Sequence, residues 1–382
     1  MDKQRLTAFA QELIRERSMS GEEQKVVARV VAEMRALAFD QVWVDEYGSA
    51  VGVIEGKRPG KTLLMDGHCD IVDARAEDWK HPPFAAVIED GYLYGRGVAD
   101  MKGPLAAMIH AAASVDRGTL AGKVIVSAGV LEEVMEGVAL QQVMNAVKPD
   151  AVLIGESTNF ALNRAGRGRA EIVVETIGKS AHSSSPQAGL CAVHEMIRLM
   201  EALEAIPMAS HPAMGRAQIC LTDIISEPFP GHSVVPNRCR VSYDRRLIPG
   251  ETPESVLAEI RALPELNNIH YSLSVLDGEE RTYTGKTLKG LKFFPAWVFE
   301  EDHPLVRAAR KGLRSSGIEP KLGSFGFCTN AAYSAGVAGI PTIGFGPGTE
   351  PDAHTVNERM KVADLARAAE GYLGMIQAIL SE

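Results

Sequence analysis

Imidazole and carboxylate groups recur in this sequence at the ends of apolar runs, where a folded chain can gather them. His68 ends the run TLLMDGH (62–68), and Asp70 follows two residues later. Asp100 lies in GRGVADMKG, just before a helical stretch. Glu132 and Glu133 follow KVIVSAG (123–129), Glu156 ends DAVLIGE (150–156), and His354 sits in the polar loop EPDAHTVNE. In open α/β sheets ligands bind outside the carboxyl ends of the strands, so five separate loops converge there. Nitrogen and oxygen donors without a thiolate suit borderline cations such as zinc. A two-metal site needs a bridging ligand, and Asp100 is the best candidate. His68 would hold one ion with Glu156, and His354 the other with Glu133. Asp70 would take the His68 ring proton and orient that ligand. Adjacent side chains diverge, so Glu133 is assigned to metal. Glu132 is assigned to general base and then general acid, taking a proton from water as it attacks a carbonyl carbon. Each residue alone has a plainer reading: Asp100 could be an N-cap, the paired glutamates a solvated surface, His354 an exposed loop residue. Their consistent placement at strand ends carries the weight.

The elements that must position these groups read as a mainly parallel sheet covered on both faces. Strands are expected at QVWV (41–44), SAVGVIE (49–55), 62–68, 123–129 and 150–156, with helices between them. Leu105, Met108, Ile109 and Ala112 give the stretch 102–115 a helical stripe. Near Gly168 the rhythm changes. A strand at 169–178, a helix at 190–203, strands at 216–226 and 238–246, a helix at 253–263 and a strand at 269–276 follow the β-α-β-β-α-β order of a ferredoxin-like domain. The expected fold is therefore α/β: a catalytic domain of residues 1–168 and 284–382, with an inserted domain of residues 169–283. IPTIGFG (340–346) returns to the first sheet, and a final helix spans roughly 361–380.

Length and composition agree. A chain of 382 residues exceeds the usual size of one core, which favours two domains. Its net charge of -9 and lack of a basic tract argue against nucleic acid as the main partner. The first residues form an amphipathic helix with Leu6, Phe9, Leu13 and Ile14 on one face rather than an apolar leader. No run is long enough for a membrane span. The five cysteines, Cys69, Cys191, Cys220, Cys239 and Cys328, are scattered without CxxC spacing, which fits free thiols in a reducing cytoplasm.

Taken together, LLMDGHCDIV, GRGVADMKGPLAAM, LEEV, GES and EPDAHTVNE resemble a di-zinc family over nearly the whole chain. That family contains aminoacylase, acetylornithine deacetylase, succinyl-diaminopimelate desuccinylase and glutamate carboxypeptidase. The resemblance implies two zinc ions per subunit, with cobalt or manganese as alternatives. It also implies a cis peptide after Asp100 and an insert that serves as lid and dimerisation domain. A glutamate such as Glu156, in place of aspartate, implies a deacylase or carboxypeptidase. The segments NRAGRGRAEI (163–172), EIRALP and FGPGTEPDAH are similar to a bacterial subgroup of hydrolases linked to selenium metabolism. That similarity implies an N-acyl or N-carbamoyl derivative of a short diamino acid as substrate.

Three features face substrate on this reading. His182, in GKSAHSS (178–184), matches a family histidine that reaches the neighbouring subunit's site and stabilises the oxyanion, which implies a homodimer. Asn237 and Arg246 lie in VVPNRCRVSYDRR (234–246). Arg246 matches the arginine that holds a substrate carboxylate, a planar group suited to guanidinium. Alternation places Asp244 and Arg246 on one strand face and Arg245 on the other. Thr329 and Asn330 begin a helix in GFCTNAAYSAG, where they could bond a substrate carboxylate, although many relatives carry aspartate at the position of Asn330. The expected activity is hydrolysis of the amide of a small N-acyl (or N-carbamoyl) amino acid. The alternatives are a metallo-carboxypeptidase or dipeptidase, and a non-catalytic zinc-binding scaffold.

Overall fold

The computed structural model describes residues 1–381. Two compact units form. The first comprises Met1–Gly166, Glu279–Gly290 and the chain from Trp297 onward; the second comprises Arg167–Gly278 with Leu291–Ala296. Three short stretches fall differently from the sequence reading, the first being residues 167 and 168, which open the second unit. Leu291–Ala296 joins the second unit because Phe293 and Phe294 pair with Ala170 and Arg169. The stretch 279–283 joins the first, where the Tyr283 hydroxyl donates to the Gly48 carbonyl (2.9 Å).

In the first unit the main sheet, among the described residues, runs in the order Gln41–Val44, Ala50–Glu55, Ala121–Gly129, Arg58–His68, Ala151–Ile154, Thr342–Gly344, Leu162–Gly166 and Trp297–Val298. Its centre is parallel: Arg58–His68 lies parallel to both Ala121–Gly129 and Ala151–Ile154, and Thr342–Gly344 is parallel to the latter. Successive side chains alternate between two cores. Leu63, Met65, Val124 and Val126 face one, and Leu64 and Ile125 face the other. Both faces are therefore apolar, as a covered parallel sheet requires. Helix Gly103–Ala113 is apolar nearly all round and buried along almost its whole length, the pattern of a helix enclosed by its neighbours. Helix Lys3–Arg15 buries Leu6, Phe9, Leu13 and Ile14 and is capped by Asp2, whose carboxylate accepts from the amides of Gln4 and Arg5.

The second unit is an antiparallel sheet in the order Gln218–Glu227, Arg238–Leu247, Gly168–Ile177 and Tyr271–Val275, with Phe293–Phe294 beside Gly168–Ile177. This is the strand order of the split β-α-β motif. Ile172, Val174, Val241 and Tyr243 form one face of the core with Met196 and Leu199 of helix Ala192–Glu204 and Ile260 of helix Pro253–Arg261. Among the described residues no helix is long and apolar enough to cross a membrane.

Candidate functional site

The parallel register brings three loops to one edge of the first unit's sheet. His68 pairs with Gly129 and Asp66 with Ile154, so the segments carrying Glu132, Glu133 and Glu156 leave from the same edge as His68. Asp100 stands at a break in a short helical turn, Val98–Lys102, where its φ of -127° and ψ of 95° leave the helical region. The Asp100–Met101 peptide is cis.

These residues form one cluster. Asp100 offers Oδ1 to His68 Nε2 (3.0 Å) and Oδ2 to His354 Nε2 (3.1 Å). Glu156 Oε1 lies 3.4 Å and Glu132 Oε2 3.8 Å from His68 Nε2, while Glu133 Oε1 lies 3.0 Å from His354 Nε2. His68, Glu132 and Glu156 are buried, whereas His354 is half-exposed. Ligand atoms of His68, Glu132 and Glu156 lie within 4.8 Å of one another, as do those of His68, Asp100 and Glu133.

The orienting role expected of Asp70 is shared with its own backbone. His68 Nδ1 lies 3.0 Å from the Asp70 carbonyl oxygen and 3.4 Å from its carboxylate Oδ1. The carboxylate also accepts from the amides of Glu132 and Glu133 (3.1 Å each) and from the Ser20 hydroxyl (2.8 Å). It therefore fixes the turn that carries both glutamates. Sequence reasoning also left out Glu358. This fully buried carboxylate accepts from the amides of Gly97 (3.1 Å), Ala99 (2.7 Å) and Asp100 (3.2 Å) and from the Arg96 guanidinium (2.8 Å). Its place four residues after His354, in the same motif, was the available signal.

The electrostatics show a demand for positive charge. Burial pushes the Glu132 carboxyl well above the usual range, and its carboxylate neighbours Glu156 and Glu133 add to this. Burial and Asp100 raise Glu133, and the same two causes bring Glu156 to about 7. Burial works against a charged His68, yet Glu132, Asp100, Asp70 and Glu156 together lift its pKa well above normal. Hydrogen bonds to Asp100 and Glu133 lift His354 to about 10. Glu156 Oε2 is buried with no hydrogen-bond partner among the described residues. Carboxylates that resist ionising, protons held on both imidazoles and an orphaned oxygen form an environment that bound cations would relieve. The residues fit a pair of divalent ions. Since ligating groups must lose their protons, Glu156 and His354 should both deprotonate on loading at neutral pH. Titration calorimetry of zinc into metal-free protein, in buffers of different ionisation enthalpy, should show release of more than one proton and an apparent affinity that rises with pH. A buffer-independent heat would contradict this.

Thr329 and Asn330 are buried in the first unit. Thr329 Oγ1 accepts from the Ala331 amide (3.2 Å), a local cap. Asn330 Oδ1 accepts from the Gly137 amide (2.6 Å) and Nδ2 donates to Asp66 (2.8 Å). Both ends of the amide are thus engaged with protein groups: they serve the Gly137 amide and Oδ2 of the buried Asp66 carboxylate, whose Oδ1 accepts from the Ser127 hydroxyl. Asn330→Ala should lower stability by about 2–4 kcal/mol, two buried groups each losing a partner. Urea unfolding measures this, and a change below about 0.5 kcal/mol, typical of inert surface sites, would contradict it.

His182, Asn237 and Arg246 belong to the second unit. The exposed His182 lies in a bridge with Val234, and its Nδ1 accepts from the Ser184 amide (3.1 Å). An accepting Nδ1 leaves the ring proton of the neutral imidazole on Nε2. The Asn237 backbone carbonyl accepts from the Gly178 amide (2.8 Å). Arg246 Nε donates to Asp244 Oδ1 (2.8 Å) on one strand face, and Arg245 is buried on the other beside Glu251 and Glu259.

Comparison with known proteins places this geometry. The chain is 32% identical over 381 residues to the uncharacterized protein YgeY of Escherichia coli K12, covering 96% of this chain and 92% of that one. It is 29% identical over 316 residues to acetylornithine deacetylase of Salmonella arizonae, covering 78% and 75%. Its fold matches the Bacillus subtilis YXEP protein, a dinuclear metal-binding peptidase of family M20, with a TM-score of 0.73 at 14% identity over 99% of this chain and 98% of that one. The model of peptidase family M20/M25/M40 matches residues 64–378, and the chain belongs to that family of hydrolases.

Proposed function

We propose that this chain is a zinc-dependent amidohydrolase that cleaves the amide of a small N-acyl or N-carbamoyl amino acid. The observation that carries the reading is the Asp100 carboxylate set between the two imidazoles, with the buried Glu132 beside His68. Likeness to an acetylornithine deacetylase supports a deacylase.

His68 and Glu156 would hold one ion, His354 and Glu133 the other, and Asp100 both. A bound pair supplies Lewis acidity to the amide carbonyl and acidifies the attacking water. Glu132 takes the proton from that water at its carboxylate and returns it to the leaving nitrogen. Its raised pKa suits it to both halves of this transfer. Asp70 keeps the His68 ring fixed and, through two amides, keeps Glu132 and Glu133 apart in their separate roles. His182 is assigned to the tetrahedral oxyanion, since its Nε2 proton is a suitable donor, and Asn237 to substrate binding. Arg246 is assigned to the substrate carboxylate. Thr329 stays a candidate for that carboxylate, while Asn330 acts by positioning. A cytoplasmic homodimer completes the reading. The edge strand Gln218–Glu227, with Ile224 and Ile225 exposed, supports self-association through the second unit.

Free-amine release by the zinc-loaded protein tests this. The panel holds N-acetyl, N-succinyl and N-carbamoyl amino acids, including diaminopropionate derivatives, beside simple dipeptides, each with and without chelator. Chelator-sensitive release from one acyl class is expected. Cleavage of dipeptides alone would move the protein to the peptidase reading, and silence with two ions bound would overturn the proposal.

A further inference from the structure

The loop Ser18–Glu23 is stitched to the segments that follow two of the cluster's strands, Arg58–His68 and Ala121–Gly129. The Ser18 hydroxyl donates to the Cys69 carbonyl (2.6 Å), and the Ser18 carbonyl accepts from the Ile71 amide (3.0 Å). The Ser20 hydroxyl donates to the Asp70 carboxylate (2.8 Å). Glu23 makes the remaining link: its Oε1 accepts from the Gly21 amide (2.8 Å) and from the Leu131 amide (3.1 Å).

Glu23 stands at the N-terminus of helix Gln24–Ala36, where an acidic residue ordinarily complements the helix dipole or caps its first amides. That explanation does not account for this one. Its side chain makes no cap hydrogen bond, is fully buried, and turns away to Leu131. Leu131 itself has φ of 58°, a conformation that a leucine rarely adopts and that persists where the surroundings dictate it. Three successive amides, at 131, 132 and 133, point at two buried carboxylates: the first at Glu23, the next two at Asp70. Consecutive amides in a left-handed turn make a concave anion site. Here that site is filled by two side chains of the protein.

We infer that Glu23 is a positioning residue that, with Asp70, sets the turn Leu131–Glu133 and so aims Glu132 and Glu133. This rests on the roles proposed above for those two glutamates. The role requires an acceptor oxygen rather than a charge. Glutamine keeps such an oxygen, and alanine does not. Burial already holds the Glu23 carboxyl up at about 7, so the neutral side chain is a natural state of this site.

The test compares wild type, Glu23→Gln and Glu23→Ala as full chains, with Glu132→Ala as a control. Amide hydrogen exchange over residues 130–134 and optical titration with Co2+ require no substrate. Glu23→Ala should exchange at least about tenfold faster in that segment. It should also bind Co2+ about 10–100-fold more weakly, the usual cost of losing a group that orients a ligand. Glu23→Gln should stay within about threefold of wild type in both. With the N-acyl amino acid that wild type hydrolyses fastest in the panel above, Glu23→Ala should lower kcat by about 10–100-fold and leave KM nearly unchanged. Unchanged exchange and Co2+ affinity in Glu23→Ala, or equal losses in the glutamine and alanine variants, would overturn the inference. Full activity in Glu132→Ala would instead sink the proposed base and leave the exchange result to decide the placement of the turn.

Discussion

Glu132→Gln is expected to lower kcat by about 10²–10⁴-fold, the contribution of a well-placed general acid–base, with both ions still bound. The distinction from a ligand variant comes from geometry. Glu133 lies 3.0 Å from His354 and Glu156 3.4 Å from His68, whereas Glu132 stands back at 3.8 Å. Glutamine fills the same volume and keeps a carbonyl, so the backbone of the turn, held by Glu23 and Asp70, has no reason to move. It cannot accept and return a proton. The pH profile adds an independent reading. Burial raises the Glu132 pKa above that of an ordinary carboxyl, so the residue stays protonated to higher pH and its base form grows as pH rises. The acid limb of kcat/KM in the wild type should therefore be missing in Glu132→Gln. Metal analysis by mass spectrometry and rates across pH decide the matter. Wild-type kcat with two ions bound would show that another group takes the proton.

Much of this fold was legible because parallel strands buried on both faces leave long apolar runs, and because the central strands of the antiparallel insert alternate. Ile172 and Val174 face the core while Glu171 and Glu175 do not. The ends of those runs mark the sheet edge where the cluster lies, so the seven residues from His68 to His354 could be gathered from the sequence alone. Of the supporting residues only Asp70 was legible. Glu23 reads as a helix N-terminal acid, and Glu358 as one more polar loop residue. Asn330 reads as a helix start open to a ligand. What each does depends on contacts far away in sequence: Glu23 with Leu131, Glu358 with Gly97 and Ala99, Asn330 with Asp66 and Gly137. A residue's type shows that it can accept a hydrogen bond, but only the tertiary fold shows which amide it reaches. The return of Phe293–Phe294 to the second unit was hidden for the same reason, since a two-residue pairing leaves no periodicity.

Asp100→Asn should remove paired-metal binding and lower activity by at least about 10³-fold, roughly 4 kcal/mol of barrier. Among the described residues only Asp100 presents one oxygen to each imidazole, at 3.0 and 3.1 Å. Asparagine retains a single oxygen, and its amide nitrogen has no lone pair for a cation, so either half of the site can be served but not both. The surroundings leave no room for compensation. The Asp100 amide is tied to Glu358, and the neighbouring Ala99 and Gly97 amides are tied to the same carboxylate, so the backbone cannot slide to offer another donor. The loss of negative charge has a second consequence with a definite sign. In the metal-free protein the hydrogen bonds to Asp100 and Glu133 hold His354 at about 10, with Asp100 the larger cause. Removing the Asp100 carboxylate should lower that pKa, and NMR of the His354 ring in the metal-free variant should show it titrating closer to neutral pH. A variant that binds two ions with wild-type affinity, or whose His354 titrates unchanged, would show that Asp100 does not join the two halves. One ion retained with the activity lost would show that the chemistry needs the pair.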